Sequence, residues 1–186
     1  MGDDDVLRAL RTGDEEAFAT VFRDVQPRLL RYLSTLVGAD DAEEVAGEAW
    51  AQAFRDLGRF KGTLDGFRGW VTTIARNRAL DLLRSQARRP FADADPLDHA
   101  GTVASAEADA LDAIGTDEAL ALIGSLPAEQ AEAVLLRVVM KLDAKTAARV
   151  LEKRPGAVRT AAYRGLKALE RRLGDISDGS NAEGTR

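Results

Sequence analysis

The chain has 186 residues, 45% of them apolar and 5% aromatic, with 26 Lys/Arg against 31 Asp/Glu and a formal net charge of −5. That is apolar material enough for one medium core or two small ones, and a composition dominated by Ala, Leu and Arg favours helix, because these residues lose little on entering one. The lack of cysteine excludes a disulfide frame and thiolate metal sites, no apolar run approaches the ~18–20 residues of a bilayer span, and the acidic start Met1-Gly2-Asp3-Asp4-Asp5-Val6 is unlike a secretory signal. A soluble cytosolic protein without membrane insertion is expected.

Residues 5–90 read as helices with short breaks. Thr12 or Asp14 can cap a helix through Phe18, Val21, Phe22 and Val25. A second runs through Leu29, Leu30, Leu33, Leu36 and Val37 to Gly38, with Pro27 at the junction. Asp40 or Asp41 caps a third, with Glu43 and Glu44 in its first turn and Val45, Ala49, Trp50, Ala53, Phe54 and Leu57 along it. Gly58 stops it. The stretch from Arg59 to Gly66 is a loop, and a fourth helix follows from Phe67 to Gln86.

The pattern breaks over 88–115, where Pro90, Pro96 and Gly101 interrupt an acidic, Ala-rich stretch with room for a short helix around 105–113. A connection of that length is too long for a loop inside one compact domain, so it argues for two. Helix signals resume over 116–173. Asp117 opens a short helix through Leu120, Leu122 and Ile123, and Ser125-Leu126-Pro127 opens a second, with Val134, Leu135, Val138, Val139 and Leu142 on one face. Asp143 caps a third through Ala147, Ala148, Val150 and Leu151; after a break at Glu152-Lys153-Arg154, Pro155 starts a last helix ending near Leu173. The expected fold is all-α: two small helical domains, 1–89 and 116–174, joined by a flexible acidic linker at 90–115, the second a helix-turn-helix domain. Residues 175–186 are expected to be a disordered tail.

Charge is sorted along this layout. Residues 68–89 carry Arg68, Arg76, Arg78, Arg84, Arg88 and Arg89 against one acid, Asp81, and residues 141–172 carry ten Lys/Arg against Asp143, Glu152 and Glu170. Between the blocks, residues 90–118 hold eight acids and no Lys or Arg. Two basic blocks held apart by an acidic strip suggest two contacts with one long polyanion, most simply nucleic acid.

The second block has helix-turn-helix spacing, two short helices joined by a turn of about three residues. In its last helix Val158, Ala161, Ala162, Gly165, Leu166 and Leu169 form a packed face. Arg159, Thr160, Tyr163, Arg164, Lys167 and Arg171 form the other, offering guanidinium forks for guanine edges or phosphates and hydroxyls for backbone oxygens. A merely solvated helix face is the competing reading. In the first block Phe60, Phe67 and Trp70 bracket a loop and open a helix carrying Arg76, Asn77, Arg78 and Arg84, a mixture that suits unstacked single-stranded bases. Trp70, spaced with Val71, Ile74 and Ala75, reads as core rather than as a stacking platform. The acids Asp40, Asp41, Glu43, Glu44 and Glu48 are explained by the helix dipole alone, with a docking surface for a basic protein as the alternative. The only histidine, His99, lies in the linker away from any Ser, Cys or metal-ligand constellation, and no Gly-rich phosphate loop occurs. No catalytic residue, metal or cofactor is expected.

Taken in order, these pieces resemble an extracytoplasmic-function (ECF) sigma factor, the small promoter-recognition subunit of bacterial RNA polymerase. Asp14-Glu15-Glu16-Ala17-Phe18 followed by Val21-Phe22 is similar to that family's opening helix, and Asp41-Ala42-Glu43-Glu44-Val45-Ala46-Gly47-Glu48-Ala49-Trp50 to its core-binding helix. Phe60-Lys61-Gly62, Phe67-Arg68-Gly69-Trp70 and Ile74-Ala75-Arg76-Asn77-Arg78-Ala79-Leu80-Asp81 resemble its −10-reading segment. Leu126-Pro127-Ala128-Glu129-Gln130, Val134-Leu135-Leu136-Arg137 and Gly156-Ala157-Val158-Arg159-Thr160 resemble its −35-reading domain.

The resemblance implies promoter-specific initiation as a dissociable polymerase subunit. Asp41, Glu44 and Glu48 would dock on the clamp helices of the largest core subunit, with Trp50 and Phe54 mostly structural, and the second domain would meet the flap. Phe60, Lys61, Gly62, Thr63 and Asp65 would belong to a loop that captures a flipped −10 base, with Asn77 nearby and Arg76, Arg78 and Arg84 on the adjoining strands. Arg154, Arg159, Thr160, Tyr163, Arg164, Lys167 and Arg171 would contact the −35 element. The acidic linker would thread the polymerase's nucleic-acid channel. Expected partners are core polymerase, promoter DNA and an anti-sigma factor, in the cytoplasm and on the nucleoid when in holoenzyme. Gly47 stands where the family usually has Gln, Thr63-Leu64-Asp65 is particular to this chain, and the first helix of the helix-turn-helix is more basic than usual. A stand-alone helix-turn-helix regulator is the alternative, and a pure protein adaptor a third class.

Overall fold

The computed structural model describes residues 2–88 and 110–180. The expected linker up to residue 109, His99 within it, Arg89, and residues 181–186 of the expected tail lie outside the described residues. Those described form helices and turns, with no strand among them.

Helix α1 (Asp3–Arg11) buries Val6, Leu7 and Leu10 ahead of the first cap. Of the two candidate caps, Asp14 is the one used: its carboxylate accepts the Ala17 N–H at 2.7 Å and opens α2 (Glu15–Val37). The two helices expected to meet at Pro27 are one. Ala17, Val21, Val25, Leu29 and Leu33 form an unbroken buried stripe across the proline. Burial of that stripe, at about 1.5–3 kcal/mol per large side chain, offsets the ~3 kcal/mol that a proline costs inside a helix.

Gly38, at φ 86°, ends α2 and precedes α3 (Ala39–Asp56). No side chain caps α3, so Asp40 and Asp41 lie in its first turn and favour it through the dipole rather than as caps. A short 3₁₀ turn at Leu57–Arg59 follows. Helix α4 (Leu64–Arg88) starts three residues earlier than the expected Phe67, because Thr63 Oγ1 accepts the Gly66 N–H at 3.2 Å and its carbonyl accepts the Phe67 N–H at 2.9 Å. Helices α2, α3 and α4 pack around Tyr32, Leu33, Ala46, Ala49, Phe67, Val71 and Ala75.

In the second half, α5 (Ala110–Gly124) covers the region in which the short Asp117 helix was expected, and α6 (Ala128–Val134) begins after Pro127. Helix α6 runs into a π turn at Leu135–Val139, where the Met140 N–H donates to the Leu135 carbonyl at 2.9 Å. The wider turn buries Leu135 and Leu136 together and swings Val138 outward to 48% exposure, removing it from the expected face. Helix α7 (Ala144–Leu151) is capped by Asp143, and Glu152, at φ 54°, makes the left-handed turn into α8 (Pro155–Ser180).

Helix α8 continues past the expected end at Leu173, so residues 175–180 of the expected tail are helical. Its packed face is the expected one except at Leu166. A Cβ on Gly165 would lie 2.7 Å from Val134 Cγ2, so only glycine lets α8 come this close to α6. Val158 and Ala162 are buried beside it, and Leu166 is left 45% exposed.

The halves expected to hang from a linker are in direct contact. Helix α4 packs on α7, and α2 on the π turn and α5, so one continuous apolar core draws from both.

The Asp143 cap gives a pH-dependent prediction. Its carboxylate accepts the Thr146 N–H, and this holds it below the usual carboxylate range. A depressed folded value means that the cap's contribution is full above the unfolded value and fades as pH falls through the folded one. Asp143→Ala should cost about 1 kcal/mol of stability at neutral pH. Asp143→Asn should retain most of it while flattening the fall in melting temperature between about pH 5 and pH 2.

Candidate nucleic-acid interface

Three surfaces carry the expected site residues. On α3, Glu44 and Glu48 are exposed and Asp41 is half-buried. Asp41 accepts a hydrogen bond from Gln86 at 3.1 Å, and Glu48 pairs with Arg78 at 3.4 Å. Glu44 has no ion-pair partner among the described residues. A side chain at Gly47 would meet nothing within 4 Å, so the position is open rather than packed. Beneath the acids, Trp50 is buried and its indole N–H donates to Gln26 Oε1 at 2.7 Å. Phe54 lies edge-on to Phe18 with centroids 4.6 Å apart, yet is 38% exposed at a groove of about 400 Å³ lined by Leu10, Phe18 and Leu57. It is both a packing residue and a surface one.

The second surface is the turn before α4 and the helix it opens. Lys61, Gly62 and Thr63 are exposed at the tip. Phe60 stacks on Trp70 with centroids 5.1 Å apart and meets Phe67 edge-on at 5.4 Å. Arg11 Nη2 donates to the Phe60 carbonyl at 2.9 Å, tying the turn to α1. Trp70 is half-buried, with Val71, Ile74 and Ala75 buried behind it, as expected of a core residue. The aromatic wall is therefore rigid, and the polar tip is what it presents.

The arginines of this block are mostly engaged within the chain. Arg68 pairs with Asp24 at 2.9 Å, Arg84 with Asp81 at 2.9 Å, and Arg78 donates to Gln52 Oε1 at 3.0 Å as well as to Glu48. Arg76 makes a bidentate pair with Glu132 of α6, Nε to Oε1 at 2.8 Å and Nη2 to Oε2 at 3.0 Å. Those hydrogen bonds hold the Arg76 guanidinium more firmly charged than usual. The buried Tyr32 hydroxyl donates to the same carboxylate at 3.4 Å; its burial, with the Glu132 charge beside it, pushes its ionisation above the ordinary phenol range. Asp65 accepts from Thr146 Oγ1 at 3.2 Å. Asn77 is exposed.

The third surface is α8. Arg154, Arg159, Thr160, Tyr163, Arg164, Lys167 and Arg171 are all exposed on it or at its start. Lys167 pairs with Glu170 at 2.9 Å, holding that carboxyl below its usual range, while Arg159, Arg164 and Arg171 make no ion pair among the described residues. Lys153, in the turn before α8, reaches Glu129 of α6, and Arg172 of α8 reaches Ser125 in the lead-in to α6.

Sequence reasoning missed Glu132, Tyr32, Thr146 and Asp24. Each is an ordinary helix residue by local pattern, and its role comes from a partner far away in the chain. No group of His, Cys, Asp or Glu suited to a metal occurs among the described residues, and none of their helices is long and apolar enough to cross a membrane.

Residues 21–89 match Sigma-70 region 2 and residues 116–169 match Sigma-70, region 4. The chain is 33% identical over 175 residues to the ECF RNA polymerase sigma factor ShbA of Streptomyces griseus subsp. griseus, covering 84% of this chain and 87% of that protein. It is 29% identical over 173 residues to BldN of Streptomyces coelicolor, covering 92% of this chain and 66% of that one. It is also 27% identical over 185 residues to the ECF RNA polymerase sigma-E factor of Escherichia coli (strain K12), covering 93% and 95%. Among solved structures, CnrH in complex with the cytosolic domain of CnrY superposes with a TM-score of 0.64 at 19% identity, covering 93% of this chain and 97% of that one. RpoE of Bartonella quintana, in complex with the anti-sigma factor NepR, gives 0.62 at 20% identity, covering 84% and 96%. These two likenesses are of fold.

The turn before α4 generates a prediction. Gly62 sits at φ 155°, and a Cβ there would lie 3.0 Å from Phe60 Cζ. Gly62→Ala should strain the turn by about 1–3 kcal/mol and push Phe60 off Trp70. A changed indole emission with unchanged helix content would report it.

Proposed function

The chain belongs to the ECF RNA polymerase sigma factors, subunits that direct promoter-specific transcription initiation, and we propose that its residues divide that work among the three surfaces. Asp41, Glu44 and Glu48 face the core enzyme, with Trp50 and Phe54 shaping the helix that carries them. Phe60, Lys61, Gly62, Thr63 and Asp65, with Asn77, form the turn that meets a −10 base, and Arg76, Arg78 and Arg84 serve the strands beside it. Arg154 and the polar face of α8, from Arg159 to Arg171, enter the −35 major groove. The single observation that carries this reading is the order of the two matched regions, with an open basic face on α8 and an open acidic edge on α3. The protein has no catalytic role of its own and works in the cytoplasm, on the nucleoid once in holoenzyme. An anti-sigma factor is the further partner we propose, in keeping with the NepR complex in which RpoE of Bartonella quintana was solved.

An acidic chain gains little from DNA phosphates by itself, so promoter affinity should require core polymerase. Run-off transcription with core polymerase on the protein's own promoter region tests this. Tight duplex binding without core, together with failure to retain core in a pull-down, would favour the stand-alone regulator instead.

Two substitution experiments assign the surfaces. Asp41→Arg with Glu44→Arg should abolish core retention with helicity unchanged; normal core affinity would make the acidic edge a solvated face. Lys167→Ala or Arg171→Ala should weaken holoenzyme binding to −35 duplex and reduce the log–log salt slope by about one unit for each phosphate that is no longer neutralised.

A further inference from the structure

The turn assigned above to a −10 base is anchored at two places. At its far end Thr63 is held by α4 itself, its hydroxyl accepting the Gly66 N–H and its carbonyl the Phe67 N–H. At its near end Phe60 is held three ways. Its N–H donates to the Leu57 carbonyl at 3.1 Å, its ring stacks on Trp70, and its carbonyl accepts Arg11 Nη2 at 2.9 Å. Lys61 and Gly62 lie between the anchors, and both are exposed. Of these contacts, the one from Arg11 comes from another part of the chain, 49 positions earlier. Arg11 is the last residue of α1, which is pinned by buried Val6, Leu7 and Leu10 and closed by the Thr12 hydroxyl donating to the Ala9 carbonyl at 2.8 Å. Its guanidinium is exposed and forms no ion pair among the described residues; the Phe60 carbonyl is its hydrogen-bond partner. Helix α1 also lies ahead of residues 21–89, the span matched to Sigma-70 region 2.

We propose that Arg11 is a positioning residue for −10 base capture: α1 is a brace that sets, through the Phe60 carbonyl, the conformation of the turn. This rests on the assignment of the turn to a −10 base. The peptide between Phe60 and Lys61 is planar and trans, so holding its oxygen aims the Lys61 N–H away from Arg11 and fixes the direction in which the chain leaves. With Thr63 also fixed, two residues must close the gap, and Gly62 does so at φ 155°. Without Arg11 the Phe60 peptide is free to rotate and the tip from Lys61 to Thr63 samples several conformations. A base entering the turn must then order it first, and that ordering weakens binding. The charge on the guanidinium makes the bond to the carbonyl a strong one. Arg11 needs no contact with DNA to act in this way.

The test uses the full-length chain with core polymerase and a −10 single strand carrying an abasic site at each position in turn. The unsubstituted chain should show one position where loss of the base weakens binding most. Arg11→Ala should reduce that penalty on the order of fivefold, with core retention, −35 duplex binding and helix content unchanged. Arg11→Lys, which keeps a donor of similar reach, should recover most of it. A full penalty in Arg11→Ala would overturn the proposal, and so would Arg11→Lys behaving no better than Arg11→Ala. Equal losses at every position and in −35 binding, or a chain that no longer folds without the Arg11 side chain, would also overturn it, because the residue would then hold the fold rather than the turn. Failure of the underlying assignment reads differently: Lys61→Ala and Thr63→Ala would leave the abasic profile unchanged as well.

Discussion

Arg76 ties the two halves of the chain together. Its guanidinium is bound by both oxygens of Glu132 across the meeting of the two halves, in a setting mostly closed to water. An ion pair of this kind contributes little net stability beyond an apolar replacement, but removing one partner strands a buried charge at a cost of about 3–5 kcal/mol. Such a pair therefore specifies an arrangement more than it strengthens one. Beside it Gly69 meets Thr146, Thr35 lies beside Gly124 and Asp65 accepts the Thr146 hydroxyl, and the apolar core is continuous across the meeting.

Each half has its own firm interior. In the first, α2, α3 and α4 close over Tyr32, Leu33 and Phe67, with an aromatic cluster of Phe18, Phe22, Trp50 and Phe54 toward α1. In the second, α8 lies close on α6 because Gly165 allows it, and Asp143 fixes the start of α7. Most ion pairs lie within a half, Arg68–Asp24, Arg78–Glu48 and Lys153–Glu129 among them, and Arg76–Glu132 is the one that joins the two halves among the described residues.

Charge alone would misjudge the two basic blocks. In the first, Arg68, Arg76, Arg78 and Arg84 are all paired with acids of the same chain, whereas Arg159, Arg164 and Arg171 of α8 stand open. A net count of Lys and Arg treats these as equals. For a protein that must not bind DNA everywhere, internal pairing of one block is a physical means of keeping an acidic chain selective.

The helices, most of their starts and stops, the helix-turn-helix and the polar face of α8 were legible in the sequence because local spacing sets them. Asp143, Pro155 and the alternation of Val158 and Ala162 with Arg159 and Tyr163 act within a few residues of chain. Where the reading slipped, a distant neighbour had decided the matter. Pro27 sits inside α2 because the buried stripe continues past it. Val138 is exposed because a π turn swings it outward, and Leu166 is the one member of the expected α8 face left exposed. Phe54 is at once packed and exposed because α1 closes only part of its ring. The contact between halves was least legible of all: Glu132 and Arg76 are 56 positions apart, and Asp65 and Thr146 are 81 apart. Local propensity and periodicity act over a turn or two of helix, so the sequence by itself determined the parts and their chemistry. Pairing across the fold depends on which surfaces meet, and only the tertiary structure decided which arginines were open and which were already held.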